Sequence, residues 1–108
     1  MLAINNLFSG LPEQLPEELF EPILQRNGIE IERIISKGHA TPPGQWYDQD
    51  GDEWVLLLQG RATLAYQNEA EPIHLQVGDY LLIPAHCRHR VEWTDPAIET
   101  LWLAIHWR

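Results

Sequence analysis

Gly78-Asp79-Tyr80-Leu81-Leu82-Ile83-Pro84-Ala85-His86-Cys87-Arg88-His89-Arg90-Val91-Glu92-Trp93 is the stretch on which the fold turns. A Gly-Asp turn launches a short apolar run, Pro84 ends it, and the chain returns through a second β-prone run that begins near His89. Period two puts His89, Val91 and Trp93 on one face of the returning strand and Arg90 with Glu92 on the other. The charged pair belongs to solvent, so His89 should face the interior. An interior His is most often a hydrogen-bonded core residue, and further evidence is needed before it counts as a ligand.

The same texture continues on both sides. IEIERII (29–35), EWVLLL (53–58), RATLAY (61–66), PIHLQV (72–77) and IETLWLAIHW (98–107) are β-prone runs. Turn residues punctuate them at Gln59-Gly60-Arg61, Gln67 to Glu71 and Asp95-Pro96-Ala97. With YLLI (80–83) and HRVEW (89–93) this makes about seven strands and no long linker, as in a small sandwich or closed barrel. EWVLLL and LWLAI are apolar on both faces, so each must be covered twice. An N-terminal arm or a partner subunit would supply the outer cover, which leads us to expect a homodimer.

Ahead of the strands, LPEQLPEELFEPILQ (11–25) carries the only helical pattern. Pro16 suits a first helical position, Glu17 and Glu18 complement the positive helix end, and Leu15, Leu19, Phe20, Ile23 and Leu24 fall on one stripe. Pro22 lies inside the span, so the helix should be short, kinked or split. The expected organisation is an arm with a short helix over 1–28 and a β-barrel domain over 29–108.

Composition sets the outer bounds. A chain of 108 residues, 44% apolar and 21% charged, suits one folded domain rather than a disordered segment. Its net charge of −9 makes nucleic acid and anionic membrane poor partners. One cysteine, Cys87, rules out an internal disulfide framework and a zinc site built on several thiolates. Met1 to Leu15 lacks the basic start and long apolar stretch of a secretion signal, and no apolar window is long enough for a membrane-spanning helix, so a cytoplasmic location is expected.

The other segment with chemical content is Trp46-Tyr47-Asp48-Gln49-Asp50-Gly51-Asp52-Glu53-Trp54. Clustered carboxylates repel one another, and a hard cation could relieve that repulsion. A helix-loop-helix calcium site is excluded: counting from Asp48, Glu53 falls where Gly is required and Gln59 where Glu is required. Asp50, Gly51 and Asp52 suit a solvated turn, leaving Asp48 and Glu53 as the pair of interest. Glu13, Glu17, Glu18, Glu21, Glu30 and Glu32 are read as solubilising charges on the arm and first strand.

Two spacings now combine. Glu53, six residues, then Gly60 matches the second half of the first cupin motif, and Gly78, five residues, Pro84-Ala85-His86, two residues, His89 follows the second. Over residues 46 to 93 the chain thus resembles the small single-domain bacterial cupins. The resemblance implies an all-β barrel of the jelly-roll, double-stranded β-helix kind, with a metal or ligand at its mouth. Glu53 takes the place of the motif Glu and His89 that of the second-motif His. The paired His of the first motif are absent, their places falling on Trp46 and Asp48 or, with a shorter gap, on Tyr47 and Gln49. His86 stands where the motif has Gly, and Trp93 where it has Asn.

What the resemblance implies for the site is a divalent ion, Mn, Fe, Zn or Ni, held by Glu53, His89 and either Asp48 or Gln49. Trp46, Tyr47, His86, Trp93 and His106 would line the ligand pocket, His106 sharing a strand face with Trp102 and Ala104. Cys87 lacks an orienting partner for nucleophilic work, and His74 has no constellation around it. Three functions stay open: a metal-dependent enzyme of dioxygenase, isomerase or lyase type, a metal-free module for a small organic ligand, and a structural or regulatory dimer.

Overall fold

The computed structural model describes residues 2–108 and contains eight strands: β1 (Leu19–Arg26), β2 (Ile29–Ser36), β3 (Asp52–Gln59), β4 (Arg61–Tyr66), β5 (Ile73–Gln76), β6 (Tyr80–Ile83), β7 (His89–Thr94) and β8 (Thr100–Trp107). They form a five-stranded sheet ordered β1-β2-β8-β3-β6 and a three-stranded sheet ordered β5-β4-β7. All the strand pairings are antiparallel. The architecture is the expected all-β one, but no described residue is helical.

The expected helix over 11–25 is therefore a correction, and its C-terminal part is β1. Asn27-Gly28, with Gly28 at φ 75°, turns the chain so that β1 pairs with β2 from Leu19↔Ile35 to Arg26↔Ile29. Pro22, which ends helices, is tolerated here because β1 is an edge strand and its register shifts between Pro22 and Leu24. The segment before β1 is tied to the outer face of β2 through Arg33. Its Nη1 donates to the carbonyls of Leu7 at 3.0 Å and Ser9 at 2.6 Å, and its Nε to Glu21 at 2.8 Å.

The two sheets close over one core of Ile34, Val55, Leu57, Ala62, Leu64, Leu75, Ile83, Trp102 and Ala104. Gly60 carries the chain from β3 in one sheet to β4 in the other. At φ 88° it occupies the left-handed region, and a Cβ there would collide with Thr100 Oγ1 and lie 2.7 Å from Thr100 Cα, so only Gly fits.

Alternation in β3 and β8 aims Val55, Leu57, Trp102 and Ala104 inward and leaves Trp54, Leu56, Leu58, Leu103 and Ile105 on the outer face, only half-buried. Beside them on the edge strand β6, Tyr80 and Leu82 are exposed. The outer face of the large sheet is thus apolar across three neighbouring strands. Leu2 and Ile4, ahead of the Arg33 anchor, are almost wholly exposed.

Candidate functional site

At one end of the sandwich the two sheets part around a cavity of about 70 Å³, which β2, β3, β7 and β8 line with Glu32, Glu53, His89 and His106 respectively. Trp102, Val55, Leu64 and Ile83 contribute apolar wall; Glu18 comes from just before β1 and Phe20 from its start, and Tyr47 and Gln49 from the loop before β3. Register explains the convergence. Glu53 lies directly opposite His106 across β3 and β8, and both point inward. Tyr66 sets the position of His89 across β4 and β7, and a backbone bridge from Tyr47 N–H to the His89 carbonyl at 2.7 Å holds the loop against it.

Glu53 and His89 are each 6% exposed. The two carboxylate oxygens of Glu53 face different imidazoles, Oε1 with His89 Nε2 at 3.6 Å and Oε2 with His106 Nε2 at 3.7 Å. His89 Nδ1 lies 2.9 Å from the Cys87 carbonyl, which can only accept, so Nδ1 carries a proton and donates it there. In the neutral ring Nε2 is then a lone pair aimed at a carboxylate. His106 Nε2 is also 2.9 Å from Glu32 Oε1. That hydrogen bond raises the pKa of His106; burial lowers it, while the charges of Glu53, Glu32 and Glu30 raise it further.

Glu18, next to this group, bonds Ser36 Oγ, and burial raises its pKa against the opposing effects of that bond and of His39. Burial likewise raises the pKa of Tyr47, with the charge of Glu18 adding to it. Trp102 is 4% exposed, and its indole Nε1 has no hydrogen-bond partner. An unmet buried donor costs about 1–3 kcal/mol.

The sequence-derived candidates separate into two groups. Glu53, His89, His106, Tyr47 and Gln49 meet at the cavity; Asp48, His86, Trp46 and Trp93 do not line it. Asp48 instead pairs with His86, Oδ1 to Nδ1 at 3.0 Å, on an exposed rim where the His86 backbone N–H also holds the Gln49 carbonyl at 2.8 Å. His86 stands at φ 61°, the left-handed conformation that suits the Gly of the motif, and opens onto a separate groove with Cys87, Arg88 and Tyr66.

Trp93 is outside because β7 bulges: Thr63 pairs with Trp93 but Leu64 with Val91, so Glu92 is skipped and the expected alternation with His89 breaks. Trp93 lies under Arg61 at 5.9 Å, and Trp46 under Arg90 at 5.9 Å, so no Trp46–Tyr47–Trp93 clamp exists. Glu32 and Glu18, read as solubilising charges, belong to the cavity. The alternation in IEIERII could have revealed Glu32, since it sets Glu30 and Glu32 on one face and Ile29 and Ile31 on the other; which face looks inward was the missing information.

The divalent metal that the resemblance implies can be judged against these donors. Two imidazoles and the carboxylate between them are suitable chemistry for a divalent transition metal, and His89 has the backbone-anchored second nitrogen common in ligating His. The donors meet pairwise: among the described residues no three His, Cys, Asp or Glu side chains are drawn together as a finished metal site. Asp48, placed at the rim, is not available to it, whereas Gln49 lines the cavity.

Comparison with known proteins gives a consistent family. No curated protein matches the chain. Among solved structures, a proposed mannose-6-phosphate isomerase from Ralstonia eutropha JMP134 is 48% identical, with TM-score 0.94 and coverage of 98% of both chains. A cupin superfamily protein from Desulfitobacterium hafniense DCB-2 is 21% identical, with TM-score 0.72 over 90% of this chain and 83% of that one. A protein of unknown function from Streptococcus pyogenes is 17% identical, with TM-score 0.76 over 100% and 89%; these two speak for the fold alone. The family model described as a cupin domain matches residues 33–106, a span that runs from β2 to β8 and holds Glu53, His89 and His106. This chain belongs to the cupin family.

Proposed function

We propose that this cupin binds a divalent transition-metal ion through Glu53, His89 and His106 and uses the adjoining cavity to bind, and act on, a small oxygen-rich organic molecule. The observation that carries the reading is the contact of His89 with Glu53. With Nδ1 committed to the Cys87 carbonyl, His89 presents Nε2 to a buried carboxylate at 3.6 Å, and in the neutral ring two acceptors so placed would call for a shared cation. A second imidazole on the other oxygen of the same carboxylate favours a metal over a single proton. Bound there, the ion would polarise a carbonyl or hydroxyl oxygen as a Lewis acid. Binding of the ion at His106 Nε2 would release Glu32 from that nitrogen, and Tyr47, Phe20 and Glu18 would restrict water access.

The name of the Ralstonia relative supplies a reaction to try, interconversion of an aldose and a ketose. That chemistry needs a base beside an acidic C–H and a polariser on the neighbouring carbonyl, roles open to Glu32 and to the ion. The cavity lining holds three carboxylates and no Lys or Arg, which suits an unphosphorylated hydroxycarbonyl compound better than a phosphate ester.

Elemental analysis of untagged protein, as purified and after exposure to Mn²⁺, Fe²⁺ and Zn²⁺, tests the reading. Stoichiometric metal that disappears in Glu53→Ala, His89→Ala and His106→Ala and persists in Asp48→Ala is expected. Protein that stays metal-free in every condition sinks it. The second reading, a metal-free binding module, draws on the pairwise spacing of the donors and on the existing Glu32–His106 bond; it requires ligand binding in the presence of chelator. We also read the apolar outer face of the large sheet as the seat of a second copy of the chain. With a charge of −9 on each copy, contact through an uncharged apolar face would add the least local repulsion.

A further inference from the structure

We infer that the groove beside the cavity is a second binding subsite, in which Gln25 and Glu30 hydrogen-bond the distal hydroxyls of an uncharged polyhydroxylated molecule too long for the cavity alone. The inference deepens the reading of the cavity as a small-molecule site, on which it rests, and does not depend on a metal. The groove has a volume of about 680 Å³ against about 70 Å³ for the cavity, and Phe20, Glu32, Gln49 and His106 border both. The groove therefore begins where the cavity ends. A ligand that extends past His106 enters it.

Strand register lays a polar path between the two spaces. Gln25 lies opposite Glu30 across β1 and β2, Glu30 opposite His106 across β2 and β8, and His106 opposite Glu53 across β8 and β3. Directly opposed residues project to the same side of a sheet, so these four side chains form one row on the inward face, about 14 Å long at about 4.8 Å per strand. The inner end of the row, Glu53 and His106, lines the cavity; the outer end, Gln25 and Glu30, lines the groove. Gln25 is exposed, and the neighbouring Arg26 guanidinium takes its backbone carbonyl, at 2.7 Å, and not its carboxamide. A carboxamide that donates and accepts, beside a carboxylate that accepts, suits adjacent hydroxyls. Phe20, 45% exposed where cavity and groove meet, offers an apolar surface to the C–H side of such a chain. The charges disfavour an acid or a phosphate ester, since Glu30, Glu32, Asp50 and Asp52 border the groove against Arg26 and Arg108. A triose placed beside Glu53 does not reach Gln25. The class so defined is a neutral polyol or sugar of at least hexitol size.

The test titrates the ¹⁵N-labelled full chain with glycerol, sorbitol and sorbitol 6-phosphate, once with chelator and once with zinc, and follows the side-chain amide signal of Gln25. Gln25→Ala assigns that signal, and as a change at an exposed edge-strand position it leaves the core intact. Sorbitol should move the Gln25 signal and bind about tenfold more tightly than glycerol, as two added hydrogen bonds imply. Sorbitol 6-phosphate should bind no better than sorbitol. Gln25→Ala should weaken sorbitol about fivefold, the worth of one hydrogen bond, and glycerol not at all. Sorbitol that binds no tighter than glycerol, an unmoved Gln25 signal, equal losses of both probes in Gln25→Ala, or tighter binding of the phosphate ester overturns the inference. Any of these results with glycerol bound defeats this inference alone; failure of every probe to bind defeats it together with the small-molecule reading of the cavity.

Discussion

Glu32 and His106 are diagonal neighbours across β2 and β8: Glu32 sits opposite Ala104, His106 opposite Glu30, and Glu32 Oε1 reaches His106 Nε2 at 2.9 Å. Because this bond is the largest influence raising the His106 pKa, removing it has a defined sign. In metal-free protein, Glu32→Gln should lower the titration midpoint of His106 followed by NMR. A pKa raised in the folded state gives stability that is full below the unfolded value of about 6.5 and is lost as pH rises through the folded value. The fall in stability on that alkaline side should therefore shrink in Glu32→Gln. An unmoved midpoint would show that the pair does not form in solution.

The same arrangement predicts a divided response of metal affinity. Removing Glu53, His89 or His106 deletes a donor, whereas removing Glu32 frees His106 Nε2, the nitrogen the ion would take. Glu32→Ala should leave zinc affinity unchanged or tighter, while each donor deletion should weaken it by at least about tenfold, the lower end for losing even an outer partner. Calorimetric titration reads both, and equal losses in all four variants would contradict the division of roles.

Asp95 gives the opposite pH dependence. Its carboxylate accepts from the Ala97 N–H at 2.8 Å and from Arg61 at 3.2 Å, and the Ala97 bond is the main cause of its lowered pKa. Its contribution is present above the unfolded value and disappears as pH falls through the folded one. Asp95→Asn should flatten the acid limb of the stability profile while leaving the alkaline side unchanged, as thermal melts across acidic pH would report.

Gly60→Ala combines a left-handed backbone with a collision against Thr100. A loss of about 2 kcal/mol or more is expected, above the ordinary penalty for Ala at positive φ. Chemical denaturation measures it, and a loss within a few tenths of a kcal/mol would mean that the strand junction relaxes.

The apolar outer face predicts self-association. Leu56→Lys, a change on that face and away from the cavity, should shift the chain toward monomer in sedimentation experiments. A wild-type chain that remains monomeric at high concentration would remove the proposed contact.

Strands β2 to β8 were legible because each is a short β-prone run between turn residues, and Glu53 and His89 because their spacing matched the motif. β1 is hidden in the sequence for a specific reason: Leu19, Phe20, Ile23 and Leu24 fit a helical stripe, and the Asn27-Gly28 turn that pairs the segment with β2 lies beyond that stripe. Glu32 was assigned to solvent by the rule that the polar face of an alternating strand looks outward. That rule inverts where the outer sheet face is apolar and the polar cavity lies within. Trp93 was misplaced by a bulge that skips Glu92, a one-residue event with no local signature in the sequence.

The wall that carries Phe20 and Glu18 differs in kind from the other walls of the cavity. β2, β3 and β8 are each hydrogen-bonded on both sides, whereas β1 is bonded to β2 alone and is interrupted beside Pro22. Widening the mouth by parting β1 from β2 breaks one ladder and leaves the Glu53–His89–His106 group untouched. Under the proposed reading, admission of a molecule would fall to one piece of backbone and its binding to another; the admitting piece, β1, lies ahead of the span matched by the cupin domain.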